Sequence, residues 1–322
     1  MSLSERLLNP ESLPNTLWDK EDRFLRLPVE FSAAYERLID RYGLRVLATS
    51  RTEKDSPTGG ISKADTDQHF AQQFDNSAAR AQLALTNVTG DVISVSNALI
   101  RALSGNAICI TDASCGAGAA TYAFLCAIAD LRAHSVLPRM PLDVRLIGAE
   151  ISAHARTVAA EMLDELRPYL ESQAVFVEAD FHAWDVTSDL STTDLISATV
   201  RASIASSKRL LVVANFSAFL SIPGKLNASK AQLEELFRYS SGPENVAVWL
   251  EPQMNFATAD GGVLQSLGRW VKDSWHRFAR LVGIDGLETS FLKSEVKFES
   301  TLTPGRLRPI RLAVMRLDLV RS

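Results

Sequence analysis

The sequence predicts an α/β protein: a mostly parallel, doubly wound sheet with a C-terminal antiparallel strand pair and an N-terminal helical extension. Three observations carry this. From Ala107 onward, short apolar runs alternate with helical patterns, as in a parallel sheet covered by helices on both faces. The first run, within AICITDASCGAGAAT (107–121), ends in an acid and turns through two close glycines into alanine-rich helix. The chain closes with two extended segments, SEVKFESTL and IRLAVMRLDLV, joined by TPGRLRP, whose proline and glycine mark a turn. These patterns divide the 322 residues into a mainly helical region, 1–106, serving as lid, substrate or dimerisation region, and a domain spanning 107–322.

In chain order, FSAAYERLIDRY (31–42) sets Phe31, Tyr35, Leu38 and Ile39 on one helical face. Residues 50–65, SRTEKDSPTGGISKAD, have the polar, proline- and glycine-bearing composition of an exposed link. Helices are expected over 65–84, with Phe70, Phe74, Ala78 and Leu83 inward, and over 92–103. Strands follow at 107–112, 143–149, 174–178, 209–215 and 245–250, with helices between them at 118–134, 153–170, 193–206 and 229–240. A long helix is expected over 262–282, and no internal repeat is present.

The loop after the first strand carries the chemistry. Gly116 and Gly118 permit positive φ and close backbone approach, and the helix that follows offers unpaired N–H groups at its start. A dinucleotide fits poorly, because Thr121 takes the third small position of its fingerprint and Asp112 places a carboxylate where a pyrophosphate would lie. That acid attracts an ammonium or sulfonium, so the ligand carries both signs. Here Asp112, Ser114, Gly116 and Gly118 resemble the acid-x-small-x-G-x-G loop of class I S-adenosylmethionine (SAM)-dependent methyltransferases. The resemblance covers 107–322 and implies a Rossmann-like methyltransferase sheet with SAM as cofactor.

The same resemblance implies further residues. Glu150, ending RLIGAE, would accept from both ribose hydroxyls; as a bare strand-end acid it would simply be solvated. Ala179, Asp180 and Phe181 in VEADFHAW would flank the adenine, with Asp180 accepting from its amine, although an aspartate there is also an ordinary turn residue. Asn215, in ANFSAFL, falls beside the transferred methyl, where amino-group methyltransferases of nucleic acids carry an acidic or amide residue before two prolines and an aromatic. Phe216 and Ser217 follow here instead, and Asn215 alternatively caps its strand. Glu251, in VWLEPQMN, is either a base or substrate ligand at the same edge, or a buried acid paired with an arginine. His182 and His69 lack triad or metal-ligand spacing, and Phe70 and Phe74 either roof the cofactor or fill core.

The resulting expectation is a SAM-dependent methyltransferase, with a catalytically silent SAM-binding subunit or scaffold as its rival and a nicotinamide oxidoreductase disfavoured by Asp112 and Thr121. A net charge of -4 favours a small-molecule or protein acceptor over nucleic acid. Arg269, Lys272, His276 and Arg280 form a basic stripe on the 262–282 helix, which Arg306, Arg308 and Arg311 would extend toward RNA, but a solvated face is the favoured reading at this net charge. Cys109, Cys115 and Cys126 form no C-x-x-C pair and suggest neither disulfide nor zinc. No signal peptide or membrane span is expected, which points to a soluble cytoplasmic protein.

Overall fold

The computed structural model describes residues 6–50, 61–242, 244–253 and 291–316. The expected 262–282 helix with its basic residues, and most of the 50–65 link, lie outside the described residues. Five parallel strands form the centre: β3 (Asn106–Ala113), β4 (Leu142–Ala149), β5 (Val175–His182), β6 (Lys208–Ala214) and β7 (Val246–Pro252). In space they run β5-β4-β3-β6-β7, so the order reverses between β3 and β6, the switch point at which ligands settle in open α/β sheets. β9 (Leu307–Arg316) joins β7 antiparallel and is itself paired antiparallel with β8 (Phe291–Glu299), forming the terminal pair expected from the sequence.

Two strands were not legible. β1 (Trp18–Asp19) and β2 (Phe24–Leu25) form a small antiparallel pair, and β2 continues the sheet by running parallel to β8. Two-residue strands carry no alternation to read. They complete an order of β1-β2-β8-β9-β7-β6-β3-β4-β5 for the nine strands among the described residues. The N-terminal region is therefore part of the sheet as well as a helical layer.

The central strands are buried on both faces, which explains their uninterrupted apolar runs. Ile108, Ile110, Leu210 and Val212 face one cluster, built with α1 (Val29–Arg41), α3 (Lys63–Thr86), α4 (Ile93–Leu103), α5 (Ala119–Ala133) and α6 (Ala153–Ser172). Cys109, Ala113, Leu211 and Val213 face the other, with α7 (Asp189–Ala202) and α9 (Lys225–Ser240). The short α2 (Arg45–Thr49) and α8 (Ser217–Leu220) complete the described helices. Both α7 and α9 begin four residues before their predicted starts: Ser188 Oγ caps α7 by accepting from Ser191 N, and Gly224, at φ 82°, turns the chain into α9.

Aromatic packing fixes the position of α3 over the sheet. Phe31, Tyr35, Phe70 and Phe74 interlock, with the Phe31 and Phe74 rings 5.4 Å apart and stacked. Tyr35 Oη donates to the carbonyls of Phe70 and Ala71 at 3.0 Å each, anchoring α3 on α1. At the other flank Thr66 Oγ1 and Ser152 Oγ are 2.9 Å apart, and His154 Nε2 meets Asp67 Oδ1 at 2.8 Å. These contacts lay α3 across the carboxyl ends of the strands.

Candidate functional site

Beneath α3, at the β3/β6 switch point, lies a cleft open to solvent. Its floor is the loop after β3. Ser114 at φ 62°, Gly116 at φ 55° and Gly118 at φ 84° turn the chain from strand into α5, the serine tolerating strain and the glycines none. A Cβ on Gly118 would stand 2.2 Å from the ring of Tyr122, which is buried and donates from Oη to the Ala159 carbonyl at 2.7 Å. Ala119 and Ala120, in the first turn of α5, line the cleft, so the turn brings helix N–H groups to its edge.

Asp112 is 1% exposed and lines the same cleft. Its Oδ2 accepts from Thr121 Oγ1 at 2.7 Å, while its Oδ1 and the neighbouring Ser114 Oγ are buried without a hydrogen-bond partner. Burial pushes the Asp112 carboxyl up to about 7, with Glu150 adding repulsion and the Thr121 hydroxyl opposing. Glu150, the residue after β4, accepts from Gly116 N at 3.1 Å and from Ser152 N at 2.9 Å. Desolvation raises its carboxyl, and those N–H groups pull it back.

The roof is one face of α3. Thr66, His69, Phe70, Phe74 and Ser77 recur at helical spacing and all line the cleft, so Phe70 and Phe74 serve both as core and as roof. The walls come from Ile151 and Ala155, from Trp184 to Val186, and from Asn215, Phe216 and Phe219. Trp184 is fixed by Nε1 donating to Thr192 Oγ1 at 3.1 Å, and Asp185 Oδ1 accepts from Thr187 N and Oγ1 at 2.9 and 2.7 Å.

The structure thus gathers Asp112, Ser114, Gly116, Glu150 and Asn215 around one cleft, with Gly118 shaping its floor. It does not bring Ala179, Asp180 and Phe181 there. β5 runs four residues past its predicted end, pairing Asp180 with Ile147, Phe181 with Gly148 and His182 with Ala149. Asp180 is exposed mid-strand, and Phe181 packs over Gly148. The chain reaches the cleft only at Trp184, Asp185 and Val186, which no sequence motif singled out.

Nor does Glu251 open on the cleft. It is 1% exposed and accepts from Phe216 N at 2.8 Å, Ser217 N at 2.7 Å, Ser217 Oγ at 2.8 Å and Trp249 Nε1 at 2.6 Å. It is a clamp that fixes the turn after β6, and desolvation raises its carboxyl against those donors. Asn215 sits in that turn at φ 56°, its N–H donating to the Leu250 carbonyl at 2.9 Å. Its Oδ1 accepts from Arg80 Nη2 at 3.0 Å, and the same Nη2 lies 3.2 Å from Ser77 Oγ. Arg80 is lowered to about 10 by desolvation, with the charges of Glu251 and Asp75 opposing, so it remains a cation at neutral pH. Arg80 carried only a faint signal in the sequence, the one charged residue of the stretch AARAQLAL.

Among the described residues no cluster of His, Cys, Asp and Glu has the arrangement of a metal site, and no helix is long and apolar enough to cross a membrane. Cys109, Cys115 and Cys126 are buried free thiols.

No family model and no curated protein match the chain. Solved structures do, and they fall across class I SAM-dependent methyltransferases. A precorrin-6y C5,15-methyltransferase from Geobacter metallireducens is 11% identical with a TM-score of 0.35, the match covering 71% of this chain and 89% of that one. A proposed class I SAM-dependent methyltransferase from Listeria monocytogenes is 12% identical with a TM-score of 0.36, covering 90% and 88%. Human N-acetylserotonin methyltransferase, solved with SAM, is 12% identical with a TM-score of 0.25, covering 93% and 73%.

Proposed function

We propose that the chain is a SAM-dependent methyltransferase whose cofactor lies in the cleft beneath α3. The observation that carries this is Asp112: a buried carboxylate at the end of the first parallel strand, with one oxygen unpartnered, above a glycine turn that leads into a helix. A buried unpaired oxygen is costly, and the ammonium of an amino-acid moiety would satisfy it. The donor set fits the rest of the molecule. Ser114 Oγ supplies a second unpaired polar atom, Gly116 keeps the floor free of a side chain, Gly118 permits the turn, and Glu150 receives the ribose hydroxyls. Asp185 takes the role that the family resemblance implies for Asp180, accepting from the adenine amine, with Trp184 and Val186 beside it as apolar wall.

Bound SAM supplies an electrophilic methyl on a sulfonium. The protein's own contribution is to hold an acceptor in line with it at the Asn215 turn and to exclude water with Phe70, Phe74, Phe216 and Phe219, so catalysis is mainly proximity and orientation. The acceptor is a small molecule or a protein group rather than nucleic acid, in keeping with a net charge of -4, and the enzyme acts in the cytoplasm. Calorimetric titration with SAM tests the reading: saturable one-site binding that Asp112→Asn weakens is expected, and no binding by folded protein overturns it.

One observation favours a second reading, a silent SAM-binding subunit. Glu251 is spent on its own turn, and the acceptor oxygen of Asn215 is taken by Arg80, so neither predicted catalytic residue offers a free base. Mass spectrometry of cell extract with labelled SAM separates the two readings. Transfer that disappears in Asp112→Ala removes the silent one.

A further inference from the structure

An asparagine beside the transferred methyl could aim an amine by accepting its hydrogen. The hydrogen bonds reverse that role. A guanidinium has only donors, so the atom of Asn215 that faces Arg80 Nη2 at 3.0 Å must be the carbonyl oxygen, and no amide flip is possible. The backbone is equally committed, with φ at 56° and the N–H given to Leu250. The remaining group, the Nδ2 amide, has no partner among the described residues, and Asn215 lines the cleft. Asn215 therefore meets an acceptor molecule as a hydrogen-bond donor.

This decides between acceptor chemistries. A neutral amine has one lone pair; if Nδ2 takes it, none is left to attack, and the amine's hydrogens find no acceptor on Asn215. A carboxylate oxygen has lone pairs for both tasks. A carboxylate is also ionised at neutral pH and needs no base, matching a turn whose nearby acid, Glu251, is fully engaged with four donors. The surrounding wall of Phe70, Phe74, Phe216 and Phe219 requires that the carboxylate be carried on an apolar body.

Resting on the methyl-transfer reading, we infer that the acceptor is an apolar carboxylic acid, held through its carboxylate by Asn215 Nδ2, and that the product is its methyl ester. The carboxylate lone pair forms the new O–CH3 bond while the CH3–S bond breaks and leaves its pair on sulfur. A carboxylate and a sulfonium become an ester and a thioether, with no proton moved. Arg80 is the positioning residue: by engaging Oδ1 it turns the amide outward.

The test is direct binding, read by calorimetry with 2-naphthoate and 2-naphthylamine as size-matched probes. The parent is expected to bind naphthoate at least tenfold more tightly than the amine. Asn215→Asp keeps an oxygen for Arg80 but replaces the donor with a second carboxylate oxygen, and should weaken naphthoate by at least tenfold without weakening the amine. Asn215→Gly, suited to φ 56°, removes the donor without repulsion and should lose most of the preference, so the proposal stays testable if the aspartate variant does not fold. Equal or tighter binding of the amine by the parent overturns the inference, as does a naphthoate preference unchanged in the variants. SAM is titrated separately: SAM binding with amine preference removes this inference alone, whereas naphthoate preference without SAM binding removes the methyl-transfer reading and, with it, the ester product.

Discussion

Gly116 N donates to Glu150 Oε2 at 3.1 Å, tying the glycine loop that follows β3 to the end of β4. Glu150→Ala would leave that N–H and the Ser152 N–H without their carboxylate and free the loop. A loss of roughly 1–3 kcal/mol in urea denaturation is expected, and on the proposed reading, in which Glu150 also receives the ribose, SAM affinity falls further than stability.

Asp112 makes the ligand-free protein pH-sensitive. Its carboxyl sits at about 7 when folded against an ordinary 3.8, so between these values the folded state holds a proton that the unfolded chain has released. Stability therefore falls as pH rises through this window, by up to roughly 4 kcal/mol at about 1.4 kcal/mol per pH unit. Urea midpoints at pH 5 and pH 7.5 check it: the parent should lose stability across the interval from this group, and Asp112→Asn should flatten that part of the profile.

The two loop glycines should differ when replaced by alanine. At Gly116 a Cβ meets nothing within 4 Å and the cost is the φ of 55°, about 1 kcal/mol. At Gly118 the Cβ would collide with Tyr122, held by its bond to Ala159, so the loss adds steric strain and should exceed that of Gly116→Ala by roughly 1–3 kcal/mol. Equal urea midpoints for the two variants would contradict the packing described.

Glu251 should behave as a clamp. Glu251→Ala removes the acceptor of two backbone N–H groups, the Ser217 hydroxyl and the Trp249 indole, and should cost about 3–5 kcal/mol. Glu251→Gln keeps part of the set and should fall between that variant and the parent. If Glu251→Gln instead matched the parent in stability while SAM-dependent transfer vanished, a catalytic carboxylate would be indicated.

The range over which each signal acts separates the legible elements from the hidden ones. β3 and its loop were legible because an apolar run buried on both faces and a pair of glycines two residues apart are local patterns. The end of β5 was not: Val177, Ala179 and Phe181 point inward, while Glu178 and Asp180, exposed on the alternate positions of an edge strand, look like the polar residues that end one. The strand therefore continues through Asp180, and the chain first lines the cleft at Trp184 and Asp185. Arg80 and Asn215 lie 135 residues apart, and neither residue's own neighbours in sequence indicate that pairing.

The pairing of β2 with β8 bears on how the chain is made. Phe24 aligns with Lys297 and Leu25 with Phe298, so one of the earliest described strands waits for one of the last before its hydrogen bonds close. Closing so long a loop is slow, and local helices cannot hasten it. During synthesis β2 must leave the ribosome with no sheet to join, and β7 stands as an open edge until β9 arrives. Strand edges left open in this way invite pairing with other chains. For this topology, the interval before β8 and β9 emerge is the one of greatest exposure to aggregation.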